Sequence, residues 1–136
     1  MAHRIFIIDG HPDNDPTRYC HALARAYLAG AVENGREARL AVISEMDFPW
    51  IRTASHFSMP AQDADIKNAQ YNLAWAEHVV VIFPLWLGTM PSLLRAFLEQ
   101  VERGRFGACA NLRGWKQHLR GKSARMSVTC DALAGF

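Results

Sequence analysis

The chain has no apolar run approaching the roughly 20 residues needed to cross a bilayer, so no membrane span is expected. Cysteine is scarce: Cys20, Cys109 and Cys130 are an odd number without close spacing. They match neither a disulfide framework nor a zinc site, and they read as inert thiols of a reducing cytoplasm. No sign of charge dominates. The 15 Lys and Arg against 13 Asp and Glu leave a formal charge of +2, too little to argue for nucleic acid. The glycine patterns of dinucleotide sites and of nucleoside triphosphatases are both missing after the first apolar segment, which argues against those two classes. No repeat, low-complexity tract or linker interrupts the chain. Residues 1–4 run directly into an apolar segment too short for a signal peptide, so a cytoplasmic protein is expected.

What is present is the profile of one ordinary globular domain over residues 1–136, half hydrophobic and about a fifth charged. Residues 5–8, Ile-Phe-Ile-Ile, form a continuous apolar run that ends at Asp9 and Gly10; such a run suits a strand covered on both faces. A polar loop punctuated by Pro12 and Pro16 follows. A helix is then expected with Asp15 as its cap and Pro16 at its first position, burying Tyr19, Ala22, Leu23, Ala26, Tyr27 and Gly30. Asn34 and Gly35 read as its end. Residues 38–43 form a second strand. A connection over about residues 44–60 carries Phe48, Trp50 and Phe57 and is long enough to suggest a role in function. A second helix is expected from Ala61 to about Ala76, burying Ile66, Ala69, Leu73 and Ala76. Residues 79–83 form a third strand, and a helix with Leu93, Leu94, Phe97, Leu98 and Val101 at helical spacing begins near Pro91. Residues 103–122 read as a basic loop, and residues 124–129 as a fourth strand.

Strands alternating with helices predict an α/β fold with an open parallel sheet, whose ligands bind outside the carboxyl ends of the strands. Three loops lie at those ends, after Ile8, Phe83 and Thr129. The first precedes a helix N-terminus, where free amides and the helix dipole favour a phosphate. Amides near Thr17 and Arg18, the Thr17 hydroxyl and the His11 imidazole are available donors, while Asp13 and Asp15 would repel phosphate unless they point outward or cap the helix. The alternative is a capped turn with no ligand. Asp9 also fits a phosphorylated nucleophile, yet His11 occupies the position where a second aspartate is usual in such enzymes. Asp9, Asp13 and Asp15 do not have the spacing of a known cation loop. The second loop, Phe83-Pro-Leu-Trp-Leu-Gly-Thr-Met-Pro91, offers exposed backbone groups for the edge of a planar heterocycle and Trp86 for its ring. It is equally readable as a packed turn with a core tryptophan. The basic residues Arg103, Arg105, Arg113, Lys116, Arg120, Lys122 and Arg125 are a solvated cluster or, more sharply, a site for a cofactor phosphate.

Three segments occur together in order: Arg4-Ile-Phe-Ile-Ile-Asp-Gly-His-Pro-Asp13, residues 75–91 with their Phe-Pro-Leu-Trp, and Gly121-Lys-Ser-Ala-Arg-Met-Ser-Val-Thr129. With them the chain resembles the flavodoxin-like NAD(P)H:quinone oxidoreductases, a family that includes modulators of drug activity and ancillary flavoproteins of potassium efflux systems. The resemblance covers essentially the whole chain. It implies a doubly wound parallel sheet of strand order 2-1-3-4, here with the fifth strand missing. It also implies a flavin, FAD or FMN, with NAD(P)H as donor and a quinone or similar acceptor. His11 and Thr17, with Arg18 beside them, resemble the residues that hold the flavin phosphate, although Pro16 and Thr17 stand where many members have a serine and an aromatic. Pro84, Leu85, Trp86, Leu87 and Gly88 resemble the segment along the isoalloxazine, and Thr129 the start of the loop that continues the site. No catalytic acid or base and no metal is implied; His118 and Arg120 read as solvated. The complete family fold is a homodimer, and a chain ending before the fifth strand is expected to bind flavin weakly alone. A non-catalytic flavin-binding subunit of a transport system is the alternative function.

Overall fold

The apolar run of the first strand forms an inner strand of a four-stranded sheet. The structure is a computed structural model, and it describes residues 3–104 and 121–130. Strand β1 (Arg4–Asp9) pairs in parallel with β2 (Glu37–Val42) on one side and β3 (His78–Pro84) on the other. β3 in turn pairs in parallel with β4 (Ser123–Thr129), giving the order β2-β1-β3-β4. Because strand side chains alternate, β1 and β3 feed two cores. Ile5, Ile7, Val80 and Ile82 pack with Cys20, Ala24 and Ala31 of helix α1 (Tyr19–Glu33). Phe6, Ile8, Val79 and Phe83 pack with Ile66 and Ala69 of α3 (Ala64–Trp75) and with Leu94, Phe97 and Val101 of α4 (Ser92–Glu102). Helices on both faces are what allow the strands to be apolar without interruption. β4 is the least covered strand, with Met126 and Val128 exposed.

The C-terminus of α1 is as expected. Gly35 is left-handed at φ 73°, and the amides of Gly35 and Arg36 donate to the carbonyls of Val32 and Ala31, which ends the helix in a Schellman motif. Its N-terminus is not as expected. The helix begins at Tyr19, with Arg18 in extended conformation before it, not at Asp15 and Pro16. The Asp15 carboxylate instead closes a local turn, accepting from the Thr17 amide at 3.0 Å and the Thr17 hydroxyl at 2.8 Å. The buried stripe is displaced accordingly. Cys20, Ala24 and Ala31 are buried, whereas Tyr19, Ala22 and Ala26 are exposed, because Cys20 and His21 are the residues that face the end of β1.

Other boundaries also moved. α3 starts at Ala64 rather than Ala61, since the Asp63 carboxylate caps it by accepting from the amides of Asp65 and Ile66. β2 ends at Val42, and Ile43–Glu45 form a 3₁₀ turn. The long connection holds a short helix, α2 (Ala54–Ser58), capped by Thr53. It is tied down at several points. The Phe48 ring lies 6.1 Å from that of Phe97, and Gln100 Nε2 donates to the Pro49 carbonyl at 2.5 Å. Arg103 was expected in a solvated loop but is 5% exposed. Its guanidinium donates to the carbonyls of Met59 and His56 and to Gln100 Oε1. Lys122, of the same basic cluster, donates to the C-terminal carbonyls of α3 at Leu73, Ala74 and Ala76. The carbonyl end of a helix attracts a cation there. Arg105, Arg113, Lys116, His118, Arg120 and Cys109 lie outside the described residues.

Gly10 carries the chain from β1 into the first loop. Its amide donates to the Ile82 carbonyl at 2.7 Å, and a Cβ at this position would lie 2.8 Å from Leu94 Cδ2 and 2.9 Å from the Ile82 oxygen. The oxygen belongs to the sheet and cannot move aside. Gly10→Ala is therefore expected to cost about 1–3 kcal/mol, the usual range for overpacking. Urea denaturation measures it; an unchanged midpoint would show that β1 and β3 can part at this point.

Candidate functional site

The loops after β1, β3 and β4 meet at one end of the sheet and enclose a cavity of about 720 Å³. His11, Thr17 and Arg18 line it from the first loop, Pro84, Leu85, Trp86 and Leu87 from the second, and Thr129 from the third. Gly88 does not line it. Asp13, Tyr19, Cys20 and Cys130 do; the sequence had placed Asp13 at this loop as a source of repulsion, Tyr19 in the helix core, and Cys20 and Cys130 as inert thiols. A helix stripe displaced by one residue brings Cys20 to the wall, where its Sγ is 3.3 Å from Thr129 Oγ1. Burial pushes the Cys20 thiol up, which keeps it protonated and unreactive at neutral pH.

His11 is buried, and its ring meets the edge of Trp86 at 5.8 Å with an interplanar angle of 85°. Burial, then the charge of His21, hold its pKa below the ordinary imidazole value, so the ring is neutral at neutral pH. Its Nδ1 accepts from the Asp13 amide at 3.1 Å. The single proton of a neutral ring is therefore on Nε2, and among the described residues no group accepts it. His11 thus offers the cavity one N–H donor.

The rest of the first loop is more self-contained. Asp13 accepts from the Asp15 amide at 3.0 Å and from Arg18 at 2.9 and 2.7 Å. Backbone hydrogen bonds, then Arg18 for Asp13 and the Thr17 hydroxyl for Asp15, hold both carboxyls below their usual range. The Thr17 hydroxyl and amide and the Arg18 guanidinium are consequently engaged by carboxylates. Among the described residues the groups left free at this end are the amides of Tyr19 and Cys20, since those of His21 and Ala22 already donate to the Arg18 carbonyl. Asp9 does not line the cavity. It is 2% exposed, with His21 on Oδ2 and the His11 amide on Oδ1, which leaves no oxygen free to act as a nucleophile.

The second loop is a two-residue hairpin turn. Trp86 and Thr89 exchange backbone hydrogen bonds of 2.9 and 3.0 Å, with Leu87 at φ 51° and Gly88 at φ 75° between them. Two consecutive left-handed residues define a type I′ turn, which glycine accepts freely and leucine at a cost of about 1–2 kcal/mol. Leu87 is 96% exposed, so no packing in the described fold offsets that strain. The Leu85 amide is taken by the Thr129 carbonyl at 2.7 Å, which ties the second loop to the third. Among the described residues the amides of Leu87 and Gly88 have no backbone acceptor. The second loop's side of the wall is thus apolar and aromatic, and the first loop's side is polar. Among the described residues no cluster of side chains could hold a metal ion, and no helix is long and apolar enough to cross a membrane.

Comparison with known proteins agrees with this architecture. The chain is 27% identical over 123 aligned residues to the ribosyldihydronicotinamide dehydrogenase-like protein traD of Penicillium crustosum, covering 76% of this chain and 45% of that protein. The structure of a Klebsiella pneumoniae protein assigned as a quinone reductase superposes with a TM-score of 0.70 at 20% identity, covering 94% of this chain and 59% of that one. The NAD(P)H:quinone oxidoreductase of Methanothermobacter marburgensis gives 0.67 at 14% identity, covering 100% and 90%. The chain therefore spans less than half of the Penicillium relative and about three fifths of the Klebsiella protein. At these identities the structural likenesses carry the fold. The family model described as the flavodoxin-like fold matches residues 3–136, and the chain belongs to that family.

Proposed function

We propose that this chain forms the flavin-binding part of an NAD(P)H-dependent quinone oxidoreductase, with FAD or FMN in the cavity at the strand ends. The observation that carries the reading is the convergence of the His11 loop and the Trp86 turn on one cavity of about 720 Å³. That size lies within the range of small-molecule sites, and a wall that is apolar on the side of Leu85, Trp86 and Leu87 and polar on the side of His11, Thr17 and Arg18 suits a planar heterocycle with a charged tail. A bound flavin supplies the chemistry, accepting a hydride from NAD(P)H and passing it to a quinone or similar acceptor. The chain's own part is to hold and orient. Trp86, Leu85 and Leu87 provide apolar surface for the ring, the Leu87 amide is available to its polar edge, and Gly88 keeps the turn behind it. His11 donates through Nε2, and the Tyr19 and Cys20 amides at the start of α1 meet the anionic tail. Thr17 and Arg18 take part once the tail displaces Asp13 and Asp15 from them. Thr129 and Cys130 begin the third wall.

The names of the Penicillium, Klebsiella and Methanothermobacter proteins support an oxidoreductase. In this reading the single flavodoxin-like unit, residues 1–136, acts in a cytoplasmic homodimer. Titration with FMN and FAD, read by visible absorbance and flavin fluorescence, tests the site. Saturable binding is expected, weakened about tenfold in His11→Ala through loss of one hydrogen bond to a charged or polar ligand. Absence of saturable binding for both flavins would end the reading. Flavin binding without quinone-dependent NAD(P)H consumption would favour a regulatory subunit instead.

A further inference from the structure

Two buried side chains beside the cavity have no part in lining it. Asp9 closes β1 and His21 is the third residue of α1; they are 2% and 5% exposed, with Asp9 Oδ2 and His21 Nδ1 2.5 Å apart. The other ring nitrogen of His21 lies 2.7 Å from the Asp13 carbonyl oxygen. A carbonyl oxygen only accepts, so Nε2 carries a proton. An ionised carboxylate also only accepts, so Nδ1 carries one too. Both contacts are satisfied together by an imidazolium. Its remaining charged neighbour is Arg25, which opposes the charge, and His11 lies neutral at 5.6 Å between ring centroids.

This pair brackets the first loop. Asp9 Oδ1 accepts from the His11 amide at 3.3 Å. His21 Nε2 holds the carbonyl of Asp13, and the amide of the same Asp13 donates to His11 Nδ1 at 3.1 Å. The residue on either side of the His11 ring is therefore fixed by one buried ion pair. We propose that His21 is a positioning residue, whose ion pair with Asp9 holds residues 9–13 so that His11 keeps its Nε2–H form toward the cavity. The consequence for flavin affinity rests on the proposed function; the control of the His11 tautomer does not.

Nitrogen-15 NMR of the histidine rings in the whole chain tests the inference. In the unsubstituted protein near pH 7, His21 is expected to show two protonated nitrogens and His11 one, on Nε2. A neutral His21 there overturns the proposal, and this result needs no variant to fold. In His21→Gln, confirmed folded by circular dichroism, His11 is expected to lose its single tautomer. FMN binding is expected to weaken at least about tenfold, the scale of one lost charge-assisted contact. Asp9→Asn combined with His21→Gln is expected to restore the His11 tautomer, because two amides can reproduce the hydrogen bonds without charge. An unchanged His11 spectrum in His21→Gln overturns the positioning role. If no flavin binds to any form while the His11 spectrum still responds to His21→Gln, the positioning role stands and the flavin reading falls.

Discussion

Asp9→Ala is expected to cost about 3–5 kcal/mol of folding stability at neutral pH, because removing one partner of a buried ion pair leaves the other uncompensated. His21 would then have to lose its proton or keep its charge in a site from which water is excluded, and the His11 amide would lose its acceptor. The loss should depend on pH. Burial opposes protonation of His21, but the Asp9 carboxylate and the Asp13 carbonyl outweigh it and raise the pKa above the ordinary 6.5. A group with a raised folded pKa binds more protons in the folded state, so its contribution is complete below about pH 6.5 and fades as pH rises through the folded value. The gap between the two proteins should therefore narrow on the alkaline side. Denaturation midpoints from pH 6 to pH 9 measure it, and a gap that stays constant would mean that His21 is not charged. The exposed pair of Arg18 and Asp13 makes the contrast. Water screens it, and Arg18→Ala is expected to move the midpoint little.

Arg103→Ala ranks next, at about 3 kcal/mol, as three hydrogen bonds from a buried guanidinium are lost at once. Among the described residues no carboxylate accompanies this cation; its partners are the carbonyls of Met59 and His56 and the amide oxygen of Gln100. The Met59 carbonyl and the Gln100 amide oxygen are left without a donor when the side chain is removed, and the His56 carbonyl keeps only the Met59 amide. The effect should be local as well as global, since both carbonyls belong to the connection between β2 and α3. Amide exchange in residues 46–60 is expected to quicken in the variant while β1 and β3 stay protected. Arg103→Lys should recover only part of the loss, because an ammonium cannot span three acceptors set in a fork. Protection unchanged along the connection would show that Phe48 and Gln100 alone hold it.

The alternation of strands and helices was legible because its signals are local. Unbroken apolar runs at residues 5–8 and 79–83, helical spacing in residues 93–101 and the Asn34-Gly35 stop each act within a few residues. That the strands run parallel followed from them through the geometry of crossovers, whereas the order 2-1-3-4 came with the family resemblance. The helix N-termini were misplaced for a reason equally physical. Asp15 and Asp63 are both good caps, and spacing alone does not say which turn a carboxylate will close; Asp15 closes one before the helix, Asp63 one at it.

The side-chain partnerships were not legible. Nothing in the sequence singled out His21, and Asp9 was read only as a nucleophile without its usual second aspartate or as one of three carboxylates with no cation-loop spacing. Only the packing of α1 against the carboxyl end of β1 joins them, twelve residues apart in sequence, and turns both inward. Arg103 sat in a basic stretch that read as solvated until α4 placed it under a loop more than forty residues earlier. The local pattern of apolar and polar residues decided which segments are strands and helices, and hence that a cavity opens at the strand ends. Tertiary contact decided which polar groups face that cavity and which are spent holding its walls, because a buried charge is tolerated only where distant residues supply its partner.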